Sequence, residues 1–206
     1  YAGLPRSPGS ALKPFFYALA IDRGVVTPAT ILDDTRRSAG LIGNAATAFL
    51  GPMLPRIALA NSRNTTAVEI IERTGLEETF EILRSLGLHT ESVGARRYGL
   101  GLAVGNLPVT LERLVQAYTV FPGDGLLRGL RWLAGKPAAP PRRVFSEDTA
   151  RRINLFLSDP AARLPTFPRG GGSEYPFAVA VKTGTSSGFR DAWAVAWSTR
   201  YLVGVW

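Results

Sequence analysis

The sequence predicts an α+β fold in which a cluster of helices packs on an antiparallel sheet. Before residue 160, apolar residues recur at helical spacing, for example after Leu12, Thr110 and Ser146. Residues 177–206 differ, because they contain the short apolar runs FAVAVK, AWAVAWS and YLVGVW, each bounded by turn residues. Helices followed by strands are typical of an α+β domain.

The first helix is predicted from Leu12 to Arg23. Pro14 is compatible with it because proline is tolerated in the first turn, and Gly24 is expected to end it. Residues 27–43 are polar and are predicted to form a loop.

Further helices are predicted in the middle of the chain, between polar or glycine-rich breaks. They cover 45–60 with interruptions at Gly51-Pro52 and Pro55, then 67–73, 76–86, 110–121 capped by Thr110, and 146–157 capped by Ser146. Residues 135–142 and 165–173 are predicted loops, and the three apolar runs at the end predict three strands, with residues 198–200 as a hairpin turn.

The composition limits the chemistry. There is no cysteine, which excludes disulfides, thiol catalysis and thiolate zinc sites. The one histidine, His89, follows a predicted helix in a loop-like stretch, and we expect it to be a surface or supporting side chain rather than a catalytic base. No metal or other cofactor is therefore expected.

The net charge of +8 arises from 24 Lys and Arg against 16 Asp and Glu. Such a charge favours an anionic polymer or membrane surface as a neighbour. No nucleic-acid recognition motif accompanies it, so no nucleic-acid partner is expected beyond weak non-specific binding. The chain begins without Met and stops at Trp206 inside an apolar run, which indicates a segment excised from a longer protein.

Three short motifs occur in order. They are Ser10-Ala11-Leu12-Lys13 (S-x-x-K), Ser62-Arg63-Asn64 (S-x-N), and Lys182-Thr183-Gly184 followed by Thr185. Each has a plain structural alternative: a helix cap, a polar turn and the end of a strand. Together they form the set found in serine β-lactamases and penicillin-binding proteins, and two of only three lysines lie in them.

The spacing in the first motif suits nucleophilic catalysis. A serine hydroxyl needs an adjacent base, and residues i and i+3 of a helix share a face. We therefore expect Ser10 to open a helix, with Lys13 one turn further on. Burial lowers the pKa of a lysine, and a neutral Lys13 can accept the Ser10 proton.

The other two motifs supply the remaining groups. Ser62 is expected to shuttle a proton between Lys13 and the leaving or attacking amine, and Asn64 to hydrogen-bond the substrate amide. Lys182 is expected to supply fixed positive charge for a terminal carboxylate.

The residues after Lys182 complete the expected substrate site. Thr183 and Thr185 add hydroxyl donors for the carboxylate, and Gly184 lets the substrate backbone lie along the strand edge. The backbone N–H groups of Ser10 and Thr185 are expected to form the oxyanion hole.

Longer stretches resemble one family. SPGSALKPFFYALAIDRG, ANSRNTTAVEIIERTG, GLGLAVGNLPVTLERLVQAYTVF and KTGTSSGFRDAWAVAWSTRYLVGVW are similar to the transpeptidase domain of class A penicillin-binding proteins. The resemblance covers nearly the whole chain. It implies that residues 1–206 form one such domain, incomplete at both ends, because the family has sheet strands before the Ser10 helix and a closing helix after Trp206.

The resemblance also implies an activity and a location. The activity is DD-transpeptidation, in which Ser10 is acylated by the D-Ala-D-Ala end of a peptidoglycan stem peptide, and β-lactams acylate the same serine. The location is the periplasmic face of the bacterial inner membrane, through an anchor in the parent protein. An upstream glycosyltransferase domain and association with cell-wall synthesis complexes are implied as well.

Other functions stay open at this point. A DD-carboxypeptidase or β-lactamase would hydrolyse the acyl-enzyme, but none of Glu69, Glu72, Glu112 or Glu147 can be assigned as the base that activates water. A β-lactam sensor would keep the motifs and signal after acylation, and a scaffold would only assemble other proteins.

Two features depart from the family pattern. The stretch from Thr35 to Pro55 is shorter and lacks the expected loop bearing tyrosine, proline and asparagine. Arg63 either points to solvent or narrows the choice of substrate.

Overall fold

A computed structural model describes residues 3–35, 42–44, 48–90, 92, 94–135, 137, 139–172 and 174–206. Its helices are α1 (Lys13–Asp22), α2 (Pro55–Ala60), α3 (Asn64–Thr74), α4 (Leu76–Ser85), α5 (Leu111–Tyr118) and α6 (Glu147–Ser158). Its strands are β1 (Leu32–Asp34), β2 (Gly51–Met53), β3 (Leu126–Leu127), β4 (Arg142–Arg143), β5 (Ala180–Thr185), β6 (Ala192–Trp197) and β7 (Leu202–Val205). The 3-10 turns are Gly9–Leu12, Ala95–Arg97, Gly99–Val104 and Ser187–Phe189.

Helix α1 lies at the centre of the molecule. Its residues from Lys13 through Ala20 are all buried, and it contacts α2, α3, α4 and α6. A helix that is apolar on nearly every face is stable only when it is surrounded by protein. The predicted helix from Leu12 to Arg23 is confirmed to within one residue at each end.

The three apolar runs at the end of the chain form the predicted antiparallel sheet, in the order β5-β6-β7. Lys182 lies opposite Val195, and Val195 lies opposite Gly204. The turn between β6 and β7 is closed by a hydrogen bond from the Ser198 amide to the Tyr201 carbonyl, at 2.9 Å. Helix α6 and the Gly9–Leu12 turn both pack on β5, which brings the first and third motifs together.

A small hairpin of β1 and β2 lies where the sequence predicted a loop over 27–43 and a helix over 45–60. Residues 27–43 contain β1, which pairs with β2 so that Leu32 lies opposite Met53. The predicted helix over 45–60 is wrong over residues 48–54, where the expected interruption at Gly51-Pro52 is strand β2 and Gly51 has a positive φ of 76°. Residues 45–47 lie outside the described part of the chain. Only α2 remains helical, with Pro55 at its start, where proline is favoured.

The later helices are confirmed, α6 to within one residue at each end and α5 with a shorter C-terminal end. Thr110 and Ser146 cap α5 and α6, because each side-chain oxygen accepts a 3.2 Å hydrogen bond from the backbone amide three residues later. Helix α5 ends at Tyr118 rather than Phe121. The predicted loops over 135–142 and 165–173 include residues 136, 138 and 173, which lie outside the described residues.

Aromatic side chains join α1 to the sheet. The ring of Phe15 lies 5.0 Å from that of Tyr118 and 5.4 Å from that of Phe121, centroid to centroid. Trp197 of β6 lies 5.4 Å from Tyr118 and 5.6 Å from Phe121. Edge-to-face and offset pairs of this kind stabilise a core beyond their buried area.

His89 is buried, so the expectation of a surface position is wrong. Its ring lies 4.0 Å from that of Phe80, and its Nε2 is 3.1 Å from the Phe80 carbonyl oxygen. It does not line the cleft described below. Within the described residues, no helix is long and apolar enough to cross a membrane, and no group of His, Asp and Glu is arranged to hold a metal ion.

Candidate active site

Ser10 lies in the 3-10 turn Gly9–Leu12, immediately before α1. The expectation that Ser10 opens the α-helix is therefore corrected: the α-helix begins at Lys13, whose amide hydrogen-bonds the Ser10 carbonyl. The tighter turn is held by a 3.2 Å bond from the Ala11 amide to the Pro8 carbonyl. The buried Tyr118 hydroxyl also donates to the Ala11 carbonyl at 2.6 Å.

Glycine allows the Ser10 turn to approach β5. A Cβ atom on Gly184 would overlap the Pro8 carbonyl and the Ala11 amide nitrogen, and one on Gly9 would overlap the backbone of Thr185. Gly9 also has a φ of 55°, which other residues rarely adopt. Gly184 thus allows its own strand to pack against the Ser10 turn, a role that the sequence did not predict.

Ser62 occupies the position just beyond the C-terminus of α2. The Arg63 amide bonds the Ala58 carbonyl and the Ser62 amide bonds the Leu59 carbonyl, each at 3.0 Å. This pair of bonds is the Schellman ending, in which glycine usually occupies the left-handed position. Ser62 has a φ of 58°, so a strained serine stands where glycine would be relaxed.

Lys13 reaches the second motif from α1. Its Nζ donates to the Ser62 carbonyl oxygen and to Asn64 Oδ1, each at 2.6 Å. Tyr17, one turn later, donates from its hydroxyl to Thr66 Oγ1 at 2.9 Å. Two successive turns of α1 are therefore bonded to the start of α3, which fixes the first motif against the second.

Lys182 reaches Ser62 from the opposite side. Its Nζ donates to Ser62 Oγ and to the Thr183 carbonyl, each at 2.8 Å. The backbone of Ser62 is thus bonded to Lys13 and its hydroxyl to Lys182. Because the Ser62 hydroxyl accepts from Lys182, its own proton is free to be donated elsewhere.

Both lysines are buried, and burial lowers the pKa of each. For Lys13 burial is the main cause, and the positive charges of Lys182 and Arg63 lower its pKa further, while Asp34 opposes them. Burial lowers the pKa of Lys182 to about 7. Burial therefore favours the neutral amine of both lysines, which is the form that a general base requires.

The motifs open into one cleft of about 450 Å³. Six of the eight predicted site residues line it: Ser10, Ser62, Asn64, Thr183, Gly184 and Thr185. Lys13 and Lys182 lie beneath it and contact it through Ser62 and Asn64.

The same cleft has walls that the sequence analysis missed. Asn44, Asn61, Val104, Thr166 and Phe167 line it, besides Arg63. Asn61 directly precedes the second motif, and this position is the one sequence signal that points to it. Its amide donates to the Ala162 carbonyl at 2.7 Å and to the Leu164 carbonyl at 2.9 Å. Its Oδ1 accepts from the Thr166 amide at 3.1 Å.

The stretch after the third motif is held by a buried carboxylate that was also missed. Ser186 Oγ donates to Asp191 Oδ2 and accepts from the Asp191 amide, each at 2.9 Å. Asp191 Oδ1 accepts from Trp206 Nε1 at 3.0 Å. These bonds fix the turn that follows Thr185 at the mouth of the cleft.

Arg63 does not point to solvent, contrary to one of the two expectations. Its side chain is 5% exposed, and its Nε donates to Asp34 Oδ2 at 2.8 Å. Part of the 35–55 stretch lies outside the described residues, but Asn44, within it, is an asparagine at the cleft wall.

The fold defines the class of protein to which the chain belongs. It superposes on penicillin-binding protein 3 of Mycobacterium tuberculosis, complexed with aztreonam, with a TM-score of 0.75 at 22% identity, over 97% of this chain and 56% of the other. Penicillin-binding protein 1A of Haemophilus influenzae gives a TM-score of 0.74 at 23% identity, over 93% and 36% of the two chains. The α+β architecture is that of the penicillin-binding transpeptidases.

The sequence defines the family. Residues 5–205 match the penicillin binding protein transpeptidase domain, and the chain belongs to that family. It is 37% identical to penicillin-binding protein 1C of Escherichia coli over 205 residues, or 98% of this chain, which confirms the predicted resemblance to penicillin-binding proteins. It is 30% identical to penicillin-binding protein 1A of Aquifex aeolicus over 219 residues. The chain spans 26% and 29% of the length of these two relatives.

Proposed function

We propose that this chain is a serine acyl-transferase that cross-links peptidoglycan stem peptides through an acyl-enzyme on Ser10. The observation that carries the proposal is the meeting of three motifs at Ser62. Lys13 bonds its backbone and Lys182 bonds its hydroxyl, while Ser10 and the edge of β5 line the same cleft.

Lys13 is proposed as the base for Ser10. A neutral amine has two N–H groups and one lone pair, and here the two acceptors Ser62 O and Asn64 Oδ1 engage two N–H groups. The lone pair is left to take the Ser10 proton as Ser10 Oγ attacks the carbonyl carbon of the D-Ala-D-Ala amide. The lowered pKa of Lys13 favours this neutral form.

The remaining steps use Ser62 and β5. Charge that develops on the substrate oxygen is stabilised by the backbone N–H groups of Ser10 and Thr185. Ser62 gives its proton to the leaving D-Ala amine and is reprotonated from Lys13, so the Ser10 proton ends on the leaving group. The acyl-enzyme is then opened by an amine of a second stem peptide, and the same relay runs in reverse.

Lys182, Thr183 and Thr185 are proposed to bind the substrate carboxylate. A negative charge near Lys182 raises its pKa from about 7, so substrate binding itself favours the ammonium. β-Lactams, which present a comparable carboxylate and a reactive amide, are expected to acylate Ser10. No cofactor takes part in this scheme.

One observation favours transfer over hydrolysis. The described residues that line the cleft include no aspartate or glutamate that would activate water against the acyl-enzyme. Glu69 is engaged elsewhere, since it accepts from the Asp33 amide at 2.8 Å and pairs with Arg73. Glu147 likewise pairs with Arg151.

We also infer that the protein acts at the periplasmic face of the bacterial inner membrane, where the proposed substrate lies. The net charge of +8 suits an anionic envelope. A membrane anchor, an upstream glycosyltransferase domain and partners in cell-wall synthesis are part of this proposal, which rests on the family.

The test is intact mass measurement of the full-length protein after exposure to a labelled penicillin. We expect a long-lived adduct on the wild type and on Ser198→Ala, a turn variant, and none on Ser10→Ala. An adduct that forms and disappears quickly would instead indicate a hydrolase, and no adduct on folded wild type would contradict the acyl-enzyme. Transfer of a D-Ala-D-Ala peptide to an added amine then separates a transpeptidase from a sensor, which would be acylated without transfer.

A further inference from the structure

A buried ion pair joins the middle residue of the second motif, Arg63, to Asp34 of β1. Arg63 is 5% exposed and Asp34 is fully buried, and Arg63 Nε donates to Asp34 Oδ2 at 2.8 Å. Arg63 Nη2 donates to the Ala48 carbonyl at 2.5 Å. Removing two charges from water is costly, so a buried pair of this kind is weak evidence for stability and calls for another role.

The Asp34 carboxylate is bonded to both neighbours of Asn64 in the chain. One oxygen accepts from Arg63 and from the Leu50 amide, at 2.8 and 2.9 Å. The other accepts from the Thr65 hydroxyl and from Asn44 Nδ2. Burial alone would raise the pKa of Asp34, but these hydrogen bonds and the charge of Arg63 outweigh it and hold the pKa below its usual range.

Asn44 connects this network to Asn64 itself. Asn44 Nδ2 donates to Asp34 Oδ1 at 2.6 Å, while Asn44 Oδ1 accepts from the Asn64 backbone amide at 2.8 Å. Asn64 Nδ2 donates to the Gly43 carbonyl at 2.8 Å. These two bonds hold the backbone amide and the side-chain nitrogen of Asn64. The side chain is therefore fixed with its Oδ1 toward the Lys13 amine.

We propose that Asp34 and Arg63 are positioning residues, which hold the Ser62-Arg63-Asn64 turn so that Ser62 and Asn64 orient the Lys13 amine toward Ser10. The pair anchors the strained left-handed Ser62 through the following residue, Arg63, which itself lines the cleft. This role goes with the proposed acyl-enzyme, on which it rests. It assigns a function to the β1–β2 hairpin, whose strand β1 carries Asp34.

The pair also sets the electrostatic surroundings of Lys13. Three charged groups act on it: Lys182 from β5, Arg63 from the turn and Asp34 from β1. Lys182 and Arg63 lower the pKa of Lys13 and Asp34 raises it. Loss of Arg63 is therefore expected to raise that pKa, and loss of the Asp34 charge to lower it.

The experiment compares Ser10 acylation by a labelled penicillin in the full-length wild type and in Arg63→Met, Arg63→Lys, Asp34→Asn and the double variant Asp34→Asn/Arg63→Met. Rates are expressed per molecule able to form the adduct, from pH 6 to pH 10. We expect Arg63→Met to slow acylation by about tenfold to a hundredfold, because misplacing a reacting group by about 1 Å has effects of that size. Arg63→Lys, which keeps the charge but not the two-point contact, is expected to recover part of the rate.

The pH profile separates positioning from mere stability. If acylation needs neutral Lys13, its rate rises with pH as Lys13 loses its proton, and this rise is the acidic limb of the pH–rate profile. We expect Arg63→Met to move the acidic limb to higher pH, because it raises the pKa of Lys13. We expect Asp34→Asn to move it to lower pH. The double variant leaves no unpaired buried charge, so it tests the role even if a single variant does not fold. We expect the double variant to be acylated slowly, with little displacement of the acidic limb of its pH–rate profile.

The control is Arg56→Met in the first turn of α2, where Arg56 pairs with Asp159 at 2.8 Å but is half-exposed. It should match the wild type in rate and profile. Wild-type rates and an unmoved limb in folded Arg63→Met, or a wild-type rate in the double variant, would overturn the positioning role. If the wild type itself forms no adduct, the proposed function fails instead, which is a separate result.

Discussion

The Nζ of Lys182 donates a 2.8 Å hydrogen bond to the hydroxyl of Ser62, a residue 120 positions earlier in the chain. The third motif thus contacts the second directly, and Lys13 of the first motif bonds the carbonyl of the same serine. Ser62 is the point at which the three motifs meet, and its geometry gives the first prediction.

Ser62→Gly should be more stable than Ser62→Ala, although both lose the hydroxyl. Ser62 lies in the left-handed region, with a φ of 58°, where glycine is relaxed and alanine is strained. We expect a difference in the free energy of unfolding of about 1 kcal/mol, measured by urea denaturation. Both variants should acylate far more slowly than the wild type. Equal stability of the two would show that the helix-ending geometry is not the constraint inferred here.

Gly184→Ala should disturb the Ser10 turn. Its Cβ would overlap the Pro8 carbonyl and the Ala11 amide, both backbone atoms that cannot move aside cheaply. We expect a loss of about 1–3 kcal/mol in stability and a lower acylation rate. Gly94→Ala is the control, since no atom lies near its Cβ and its φ is an ordinary −71°. A Gly184→Ala protein that behaves like the control would contradict the close approach of β5 and the turn.

Asn61→Ala should weaken both the fold and the cleft. It leaves the Ala162 and Leu164 carbonyls and the Thr166 amide without their side-chain partner. The bond to Ala162 is buried, and an unpaired buried group costs about 1–3 kcal/mol, while the two part-buried groups can bond water and cost less. Since Thr166 and Phe167 line the cleft, we expect weaker binding of penicillin before acylation, seen as a higher concentration for half-maximal rate.

Asn61→Asp is the matched comparison, because it keeps an acceptor for the Thr166 amide and loses the two donors. It should be no more stable than Asn61→Ala, because its buried carboxylate would face the Ala162 and Leu164 carbonyl oxygens with no positive partner. If Asn61→Ala reaches half its maximal acylation rate at the same penicillin concentration as the wild type, the 162–167 segment is held in place without this side chain.

The stability of the protein should depend on pH through Lys182. Burial lowers its pKa in the folded state to about 7, from an ordinary value of 10.5. Between these values the unfolded chain binds more protons, so the contribution of Lys182 to stability rises with pH, by at most about 1.4 kcal/mol per unit. Below pH 7 both states are protonated, and its contribution stays at its minimum.

Lys182→Met should therefore flatten the rise in the free energy of unfolding between pH 7 and pH 9, whereas Ser198→Ala should keep it. Part of the rise is expected to persist in Lys182→Met, because the pKa of Lys13 is lowered as well. If the free energy of unfolding rises equally with pH in the wild type and in Lys182→Met, the pKa of Lys182 is not lowered by folding.

The chemistry and most of the helices were predictable from local patterns. Apolar spacing, proline and glycine located α1, and Thr110 and Ser146 located the starts of α5 and α6. The motif spacing predicted which side chains would share a cleft, and six of the eight predicted residues line it. The helices and each single motif depend on residues within a few positions of one another, which is why the sequence alone reveals them. The sharing of one cleft was predicted because the three motifs together form a known set.

The β1–β2 hairpin, the 3-10 turn at Ser10 and the interior position of Arg63 were not predictable in that way. Each depends on groups far along the chain. The hairpin forms because Gly51 and Pro52 pair with β1, and the Ser10 turn packs closely against Gly184. Arg63 is buried because it pairs with Asp34. The sequence by itself determined most of the residues at the cleft and the position of the three-stranded sheet after the helices. The tertiary structure decided which buried charges meet, because only packing brings Lys182, Lys13, Arg63 and Asp34 out of water and into contact with the second motif.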